Sequence, residues 1–257
     1  ILVDDGSKDN GGKQCDNFAQ ADKRVHVIHK ENNGLMSAWV TGVNASKGQY
    51  LCFVDSDDWV TPDFYERMIA RAQETGADVV GCDYSLVSEH TMQTGKVIVN
   101  NDDSLTGVCT TEKKKQLAMR PGSMVIKIYR HSMITENKLD FPGKIFYEEN
   151  CAGTVWMLCC GRFEKINEPL YYYYQHDVST VHTITQERCR DRMKAGEQLV
   201  MECSMRGFLE TYHDEIEYRF TEIYYATTLF SYLSGVKKTE LSFLAELRDG
   251  IRKYFPD

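Results

Sequence analysis

FVDSDDWVTPDF, residues 53–64, gathers Asp55, Asp57, Asp58 and Asp63 directly behind the apolar run Tyr50-Leu51-Cys52-Phe53-Val54. An apolar run that stops in a polar cluster reads as a buried strand ending at a sheet rim. Like charges crowded there repel one another and lose hydration, so the cluster is expected to hold a ligand or an ion. The competing reading is local: Asp is also a turn former and a helix cap.

Working outward, the same pattern stands at the front of the chain, where Ile1-Leu2-Val3 runs into Asp4-Asp5-Gly6-Ser7. Between the two rims the spacing predicts a helix over Gly12 to Asp22, a strand over Val25 to Ile28, a break at Asn32-Asn33-Gly34, a helix over Leu35 to Ala45 and a strand over Gln49 to Val54. Strands and helices that alternate through short loops point to a parallel α/β sheet. A helix follows, with Thr61 as cap and Pro62 at its first position, running to about Thr75. Ala77 to Cys82 reads as a strand and the polar residues 85–110 as a hairpin or exposed excursion. Next come a helix over Lys113 to Met119, a strand over Met124 to Tyr129, an apolar helix over Glu148 to Cys160 and a strand-rich stretch over Phe163 to Tyr174. From Thr185 to Tyr254 helical periodicity dominates, so the expected division is 1–184 (halves 1–82 and 83–184) followed by a helical extension over 185–257.

The composition excludes several classes. A net charge of −8 argues against a nucleic-acid-binding surface, which needs a basic patch. Nine cysteines with no C-x-x-C pair read as reduced thiols in a cytosolic protein. Neither a signal peptide nor an apolar run of membrane-spanning length is legible. The chain opens inside an apolar run with no initiating Met, as a domain with its front missing would.

In an open α/β sheet, ligands bind where strands end, so the clusters at Asp4-Asp5 and Asp55-Ser56-Asp57-Asp58 are expected to line one cleft. Carboxylates there suit ribose hydroxyls, a base N–H, or a hard divalent cation bridging phosphates. Ile1-Leu2-Val3-Asp4-Asp5-Gly6-Ser7-Lys8-Asp9, then Asn33-Gly34-Leu35, then Phe53 through Trp59 together resemble the family 2 glycosyltransferases of the GT-A type, in order and spacing over residues 1 to about 82.

The resemblance implies a GT-A, Rossmann-like, mostly parallel central sheet flanked by helices. It implies that Asp5 binds the uracil of a UDP-sugar with Asp4 and Asp9 nearby, and that Asp55 and Asp57 form the D-x-D element that meets ribose and Mg²⁺ or Mn²⁺, with Asp57 the direct ligand. Asp58 then contacts the sugar or shapes the turn. Glu148-Glu149 stands where the family carries a Glu-Asp pair whose second acid deprotonates the acceptor, so Glu149 is the expected base. A longer carboxylate reaches about one methylene further. The alternative is that both glutamates complement the helix N-terminus. The run Leu170 to Ser179 resembles the family's Leu-Tyr-Tyr-Tyr-Arg segment, with Gln175 in place of Arg. His176 or His182 is a candidate contact to diphosphate or metal.

Beside Gln175, three departures qualify the resemblance. Trp39-Val40 stands where relatives carry Arg-Asn; Glu149 replaces Asp; and the family's Pro-x-Tyr-Asn strand, which in relatives lies ahead of this point, is not in the chain. If the natural protein begins at Ile1, the expectation is a nucleotide pocket with one wall fewer and a sheet without a central strand. The expected function is an inverting, metal-dependent hexosyl- or hexosaminyltransferase of bacterial cell-surface polysaccharide synthesis. Its partners would be a nucleotide sugar, a saccharide or lipid-linked acceptor and no nucleic acid, with peripheral contact at the inner face of the membrane and homo-oligomerisation both admitted. The alternative is a catalytically impaired relative that still binds nucleotide sugar. A response-regulator-like phosphoacceptor domain explains the acidic rim but not the second acidic helix start.

Overall fold

The computed structural model describes residues 1–139, 147–175 and 184–256, with the Glu148 side chain outside that set. At the front, β1 (Leu2–Asp4) pairs in parallel with β2 (Val27–His29), joined by α1 (Gly11–Ala21). α2 (Leu35–Ala45) then leads to β3 (Tyr50–Cys52), as the alternation of apolar runs and turns predicts. β4 (Trp59–Val60) and α3 (Phe64–Thr75) follow the acidic stretch, and α3 ends at Gly76 with φ 70°. α3 starts at Phe64 with Asp63 in the capping position, two residues beyond the expected Thr61 cap. The cause is local: the Thr61 N–H is taken by Leu170 O and its carbonyl by Phe64 N–H, which keeps 61–63 in a turn.

The chain continues through β5 (Val79–Val87), β6 (Lys96–Ile98), a 3₁₀ turn (Asp103–Leu105), β7 (Gly107–Val108) and α4 (Thr111–Met119). Residues 85–110 thus include the expected hairpin, with β6 antiparallel to β5. β8 (Lys127–Arg130) starts later than the expected strand, because the buried Lys127 ammonium donates to Pro121 O and Ser123 O and draws 121–126 into a tight loop. α5 (His131–Glu136), unread in the sequence, precedes α6 (Glu148–Cys159) and β9 (Arg162–Tyr174).

The larger sheet has the order β3-β8-β5-β9-β4, with β6 on β5 and β7 on β9. β5 and β9 run parallel and the other pairs of this sheet are antiparallel, so it is mixed where a mostly parallel sheet was expected. The reason is that the chain enters β8 from the loop at 119–125, beside the strand ends that carry the acidic clusters, and must run back. Among the described residues no strand joins the β1–β2 pair to the larger sheet. Pro169 is accommodated in the long β9 because the register slips there, Cys82 facing Ile166 and Asp83 facing Pro169.

From Gln186 onward the chain is helical: α7 (Gln186–Met205), α8 (Leu209–Phe220), a π-helical stretch (Thr221–Thr227), α9 (Thr228–Gly235) and α10 (Leu241–Tyr254). These helices share one core with the sheet. Buried Phe64, Val79, Phe163, Tyr171 and Trp156 continue into Leu199, Ile216, Phe220, Tyr232 and Leu247. All nine cysteines are free thiols, and among the described residues no helix is long and apolar enough to cross a membrane.

At the register slip, Lys165 Nζ lies 2.8 Å from Asp83 Oδ1, with both side chains almost fully buried, and Asp83 also accepts the Asn100 N–H. Removing one partner strands a charge away from water. Asp83→Ala is expected to lower the urea unfolding free energy by about 3–5 kcal/mol, and adding Lys165→Met to recover much of that loss.

Candidate active site

β1 and β3 each end in a short polar turn, and the two turns open onto one cleft of about 2100 Å³. It is lined by Asp5, Gly6 and Ser7 from the first turn and Asp55, Ser56 and Asp57 from the second. The same cleft is lined by Tyr147, Glu149 and Asn150 at the head of α6. The structure therefore brings Asp5, Asp55, Asp57 and Glu149 to a common cavity from positions far apart in sequence.

The first turn is held by its own carboxylates. Asp4 accepts the Ser7 N–H at 2.9 Å and meets His29 Nδ1 at 2.8 Å; bonding from Ser7, then from His29, brings Asp4 down to about 2. The other His29 nitrogen meets Asp16 at 2.9 Å, and this double contact raises His29. Burial pushes Asp5 up, but bonds from Lys30 Nζ (2.5 Å) and the N–H groups of Asn33 and Gly34 outweigh it and hold the carboxylate below its ordinary value. Gly34 has φ 86°, which lets its N–H reach Asp5 Oδ2 at 2.8 Å as α2 begins. Gly6, at φ 76°, lies so close to Asn32 that a Cβ there would sit 2.8 Å from its backbone nitrogen. Asp9 is exposed, binds the Gly11 N–H at the head of α1 and does not line the cleft.

The second turn is anchored from β9. Tyr171 donates its hydroxyl to Asp58 Oδ2 at 2.6 Å and accepts the Asp55 N–H at 3.3 Å, and the Tyr174 N–H donates to Asp58 Oδ1 at 2.8 Å. Asp58 thus faces β9 while Asp55 and exposed Asp57 face the cleft. Burial, then the charges of Asp58, Asp57 and Glu149, raise Asp55 to about 6. Burial also raises Glu149 against the pull of its own N–H, Arg192 and Arg219. Asn150 Nδ2 donates to Glu149 Oε1 at 3.2 Å. Glu148 opens α6 with its side chain outside the described residues; His176 and His182 lie outside them entirely.

Among the described residues no group of three or more His, Cys, Asp or Glu side chains is arranged to hold a metal. Asp55 and Asp57 supply oxygen donors of the kind a hard divalent ion takes, and their mutual repulsion is what such an ion relieves. Trp39, at the position of the expected Arg, stacks on Phe53 at 4.2 Å and lines the cleft.

The sequence reading missed three contributors. Tyr171 reads as packing but is the anchor of the acidic turn. Lys127 shapes the 119–125 loop that forms one lip of the cleft, and burial lowers it to about 7. Glu187, Asp191, Lys194, Arg219 and Glu222, from the C-terminal helices, complete the far wall. No motif marks them; only an excess of charge on helix faces that ought to pack could have drawn attention to them.

Because Asp55 titrates near 6 in the folded chain against an ordinary 3.8, the folded state binds its proton more tightly, and stability falls as pH rises through that window. Asp55→Asn is expected to stabilise the chain to urea by about 1–2 kcal/mol near neutral pH, after discounting for solvent screening, with the gain vanishing towards about pH 4.

The glycosyl transferase family 2 model matches residues 1–139. EpsH of Bacillus subtilis (strain 168) is 29% identical over 224 residues, covering 84% of this chain and 64% of that protein. The glycosyltransferase GlyG of Streptococcus pneumoniae serotype 4 is 27% identical over 269 residues, covering 97% of this chain and 88% of GlyG. The chain therefore spans slightly less than two thirds of EpsH and most of GlyG. In fold, it matches the crystal structure of S. aureus TarS 1–349 in complex with UDP-GlcNAc with a TM-score of 0.71 at 16% identity, over 98% of this chain and 70% of that one. Sheet, helices and family model agree, and the chain belongs to glycosyltransferase family 2, with the GT-A fold.

Proposed function

We propose that the chain is an inverting transferase that moves a hexosyl or hexosaminyl unit from a UDP-sugar to a hydroxyl of a saccharide or lipid-linked acceptor in cell-surface polysaccharide synthesis. The observation that carries this reading is the cleft lined jointly by Asp55, Asp57 and Glu149, with Glu149 close enough for its charge to act on Asp55. Glu149 takes the acceptor's hydroxyl proton, and the acceptor oxygen bonds the anomeric carbon from the face opposite the diphosphate. The bond to the diphosphate breaks, and its electron pair leaves with UDP. A carboxylate raised by burial is better matched to proton abstraction near neutral pH than an exposed one. Asp5 serves the base, and Asp55 and Asp57 serve ribose and a Mg²⁺ or Mn²⁺ ion. Bound there, that ion supplies charge neutralisation to the diphosphate. The UDP-GlcNAc of the TarS crystal structure makes that donor the first to test.

A second reading, a relative that binds nucleotide sugar without transferring it, is favoured by two observations. Glu149 stands where the family carries the Asp that acts as base, and Trp39, where relatives carry Arg, is stacked on Phe53.

In UDP-release assays with UDP-GlcNAc and Mn²⁺, Asp57→Ala is expected to lower turnover by about 100-fold or more and to shrink the rise in melting temperature caused by UDP. Release that is equal in parent and variant contradicts the assignment. No release in the parent, with the UDP shift retained, supports the second reading. Glu149→Gln is expected to lower kcat by about 10²–10⁴ with donor KM within about twofold, and parallel changes in both constants contradict its role as base.

A further inference from the structure

Glu149 enters the cleft from an unfavourable piece of backbone. Tyr147, immediately ahead of α6, has φ 72° and ψ 20°, a left-handed conformation that a side chain with a Cβ rarely adopts and that persists only where surroundings enforce it. The enforcement comes from the C-terminal helices. The Arg192 guanidinium of α7 lies 4.0 Å from the centre of the Tyr147 ring, and its Nη1 also donates to Ser231 Oγ at 2.9 Å, so the arginine is fixed from behind. From α8, Arg219 Nη2 donates to Asn150 Oδ1 at 3.3 Å while its Nη1 donates to Glu222 at 2.6 Å. Asn150 closes the set: its Nδ2 donates to Tyr147 O and to Glu149 Oε1, each at 3.2 Å.

We propose that Arg192 and Arg219 are positioning residues: they clamp the strained turn at Tyr147 and the amide of Asn150, and so hold the Glu149 carboxylate against the cleft. The inference rests on the reading of Glu149 as the base, and it assigns the C-terminal helices a part in the reaction, although they lie outside residues 1–139. The charges fit the task. Burial works against an ionised Glu149, and Arg192 and Arg219 are cations that oppose it. A guanidinium can sit over an aromatic ring while donating a hydrogen bond elsewhere, and Arg192 does both, with Tyr147 and Ser231. Arg219 keeps its Nε buried with no hydrogen-bond partner. A buried donor left unmade is unfavourable, which suits a side chain placed for its two outer nitrogens rather than for packing alone.

The test uses the full chain and two readouts, only one of which needs activity. In amide hydrogen exchange, Arg192→Met is expected to speed exchange at residues 150–153 by about tenfold or more, while β1–β2 amides stay within about twofold of the parent. Unchanged exchange at 150–153 overturns the clamp. In UDP release from UDP-GlcNAc with Mn²⁺ and water as acceptor, Arg192→Met is expected to lower kcat by about tenfold or more with donor KM within about twofold; Arg192→Lys, which keeps a cation over the ring, recovers most of the loss. Tyr147→Leu removes the same contact from the other side, which covers the case in which Arg192→Met does not fold, and the double variant is expected to lose no more kcat than the worse single. A kcat for Arg192→Met within about twofold of the parent, in a protein where Glu149→Gln is inactive, overturns the proposal. If Glu149→Gln is fully active, the base assignment fails instead, and the exchange result alone decides the clamp.

Discussion

The cleft depends on the bond between Asp58 and β9. One carboxylate takes the Tyr171 hydroxyl and the Tyr174 N–H, joining the turn after β3 to a strand more than a hundred residues later. That tie decides which way the acidic stretch faces. With Asp58 turned to β9 and the Asp55 N–H donating to the Tyr171 oxygen, Asp55 and Asp57 are left facing the cavity. β9 is itself set by its parallel ladder with β5, locked where Lys165 meets Asp83. Sheet register thus becomes site geometry through one tyrosine.

The arrangement works against stability where function needs charge. Asp55, Asp57 and Glu149 repel across a partly buried cavity, and nothing in the immediate turn compensates Asp55. Elsewhere the chain pairs its acids: Asp4 with His29, Asp5 with Lys30, Asp78 with Arg130 and Glu164 with Arg71 and Arg162. A site that crowds carboxylates around one cavity in such a chain is suited to a cationic or hydroxyl-rich ligand rather than to packing. Arg192 and Arg219 bring positive charge to the acidic helix start while their own contacts go to Tyr147 and Asn150.

Much of this was legible in the chain. The Leu35–Ala45 helix, the hairpin after β5 and the acidic turns at strand ends follow from apolar runs and turn residues, and the three motifs in order point to the family. The direction of β8 was not legible, because strand orientation depends on which end of the sheet the preceding loop reaches, and that loop is shaped by the buried Lys127. The resemblance already set Asp57 apart from Asp58; what was not legible is the cause, the Tyr171 hydroxyl that takes the Asp58 carboxylate and turns it to β9. The part of the cleft wall that comes from the C-terminal helices escaped reading, since Arg219, and Arg192 behind it, carry no motif and reach the site through tertiary packing of α7 on α6 and of α8 on α7.

The central claim is that sugar leaves UDP at this cleft by displacement from the face opposite the diphosphate, with Glu149 taking the proton. Proton NMR of the anomeric signal in the first minutes of turnover of UDP-α-GlcNAc by the parent chain tests it most directly, before mutarotation blurs the result. The account predicts a β-configured product; an α-configured product contradicts it.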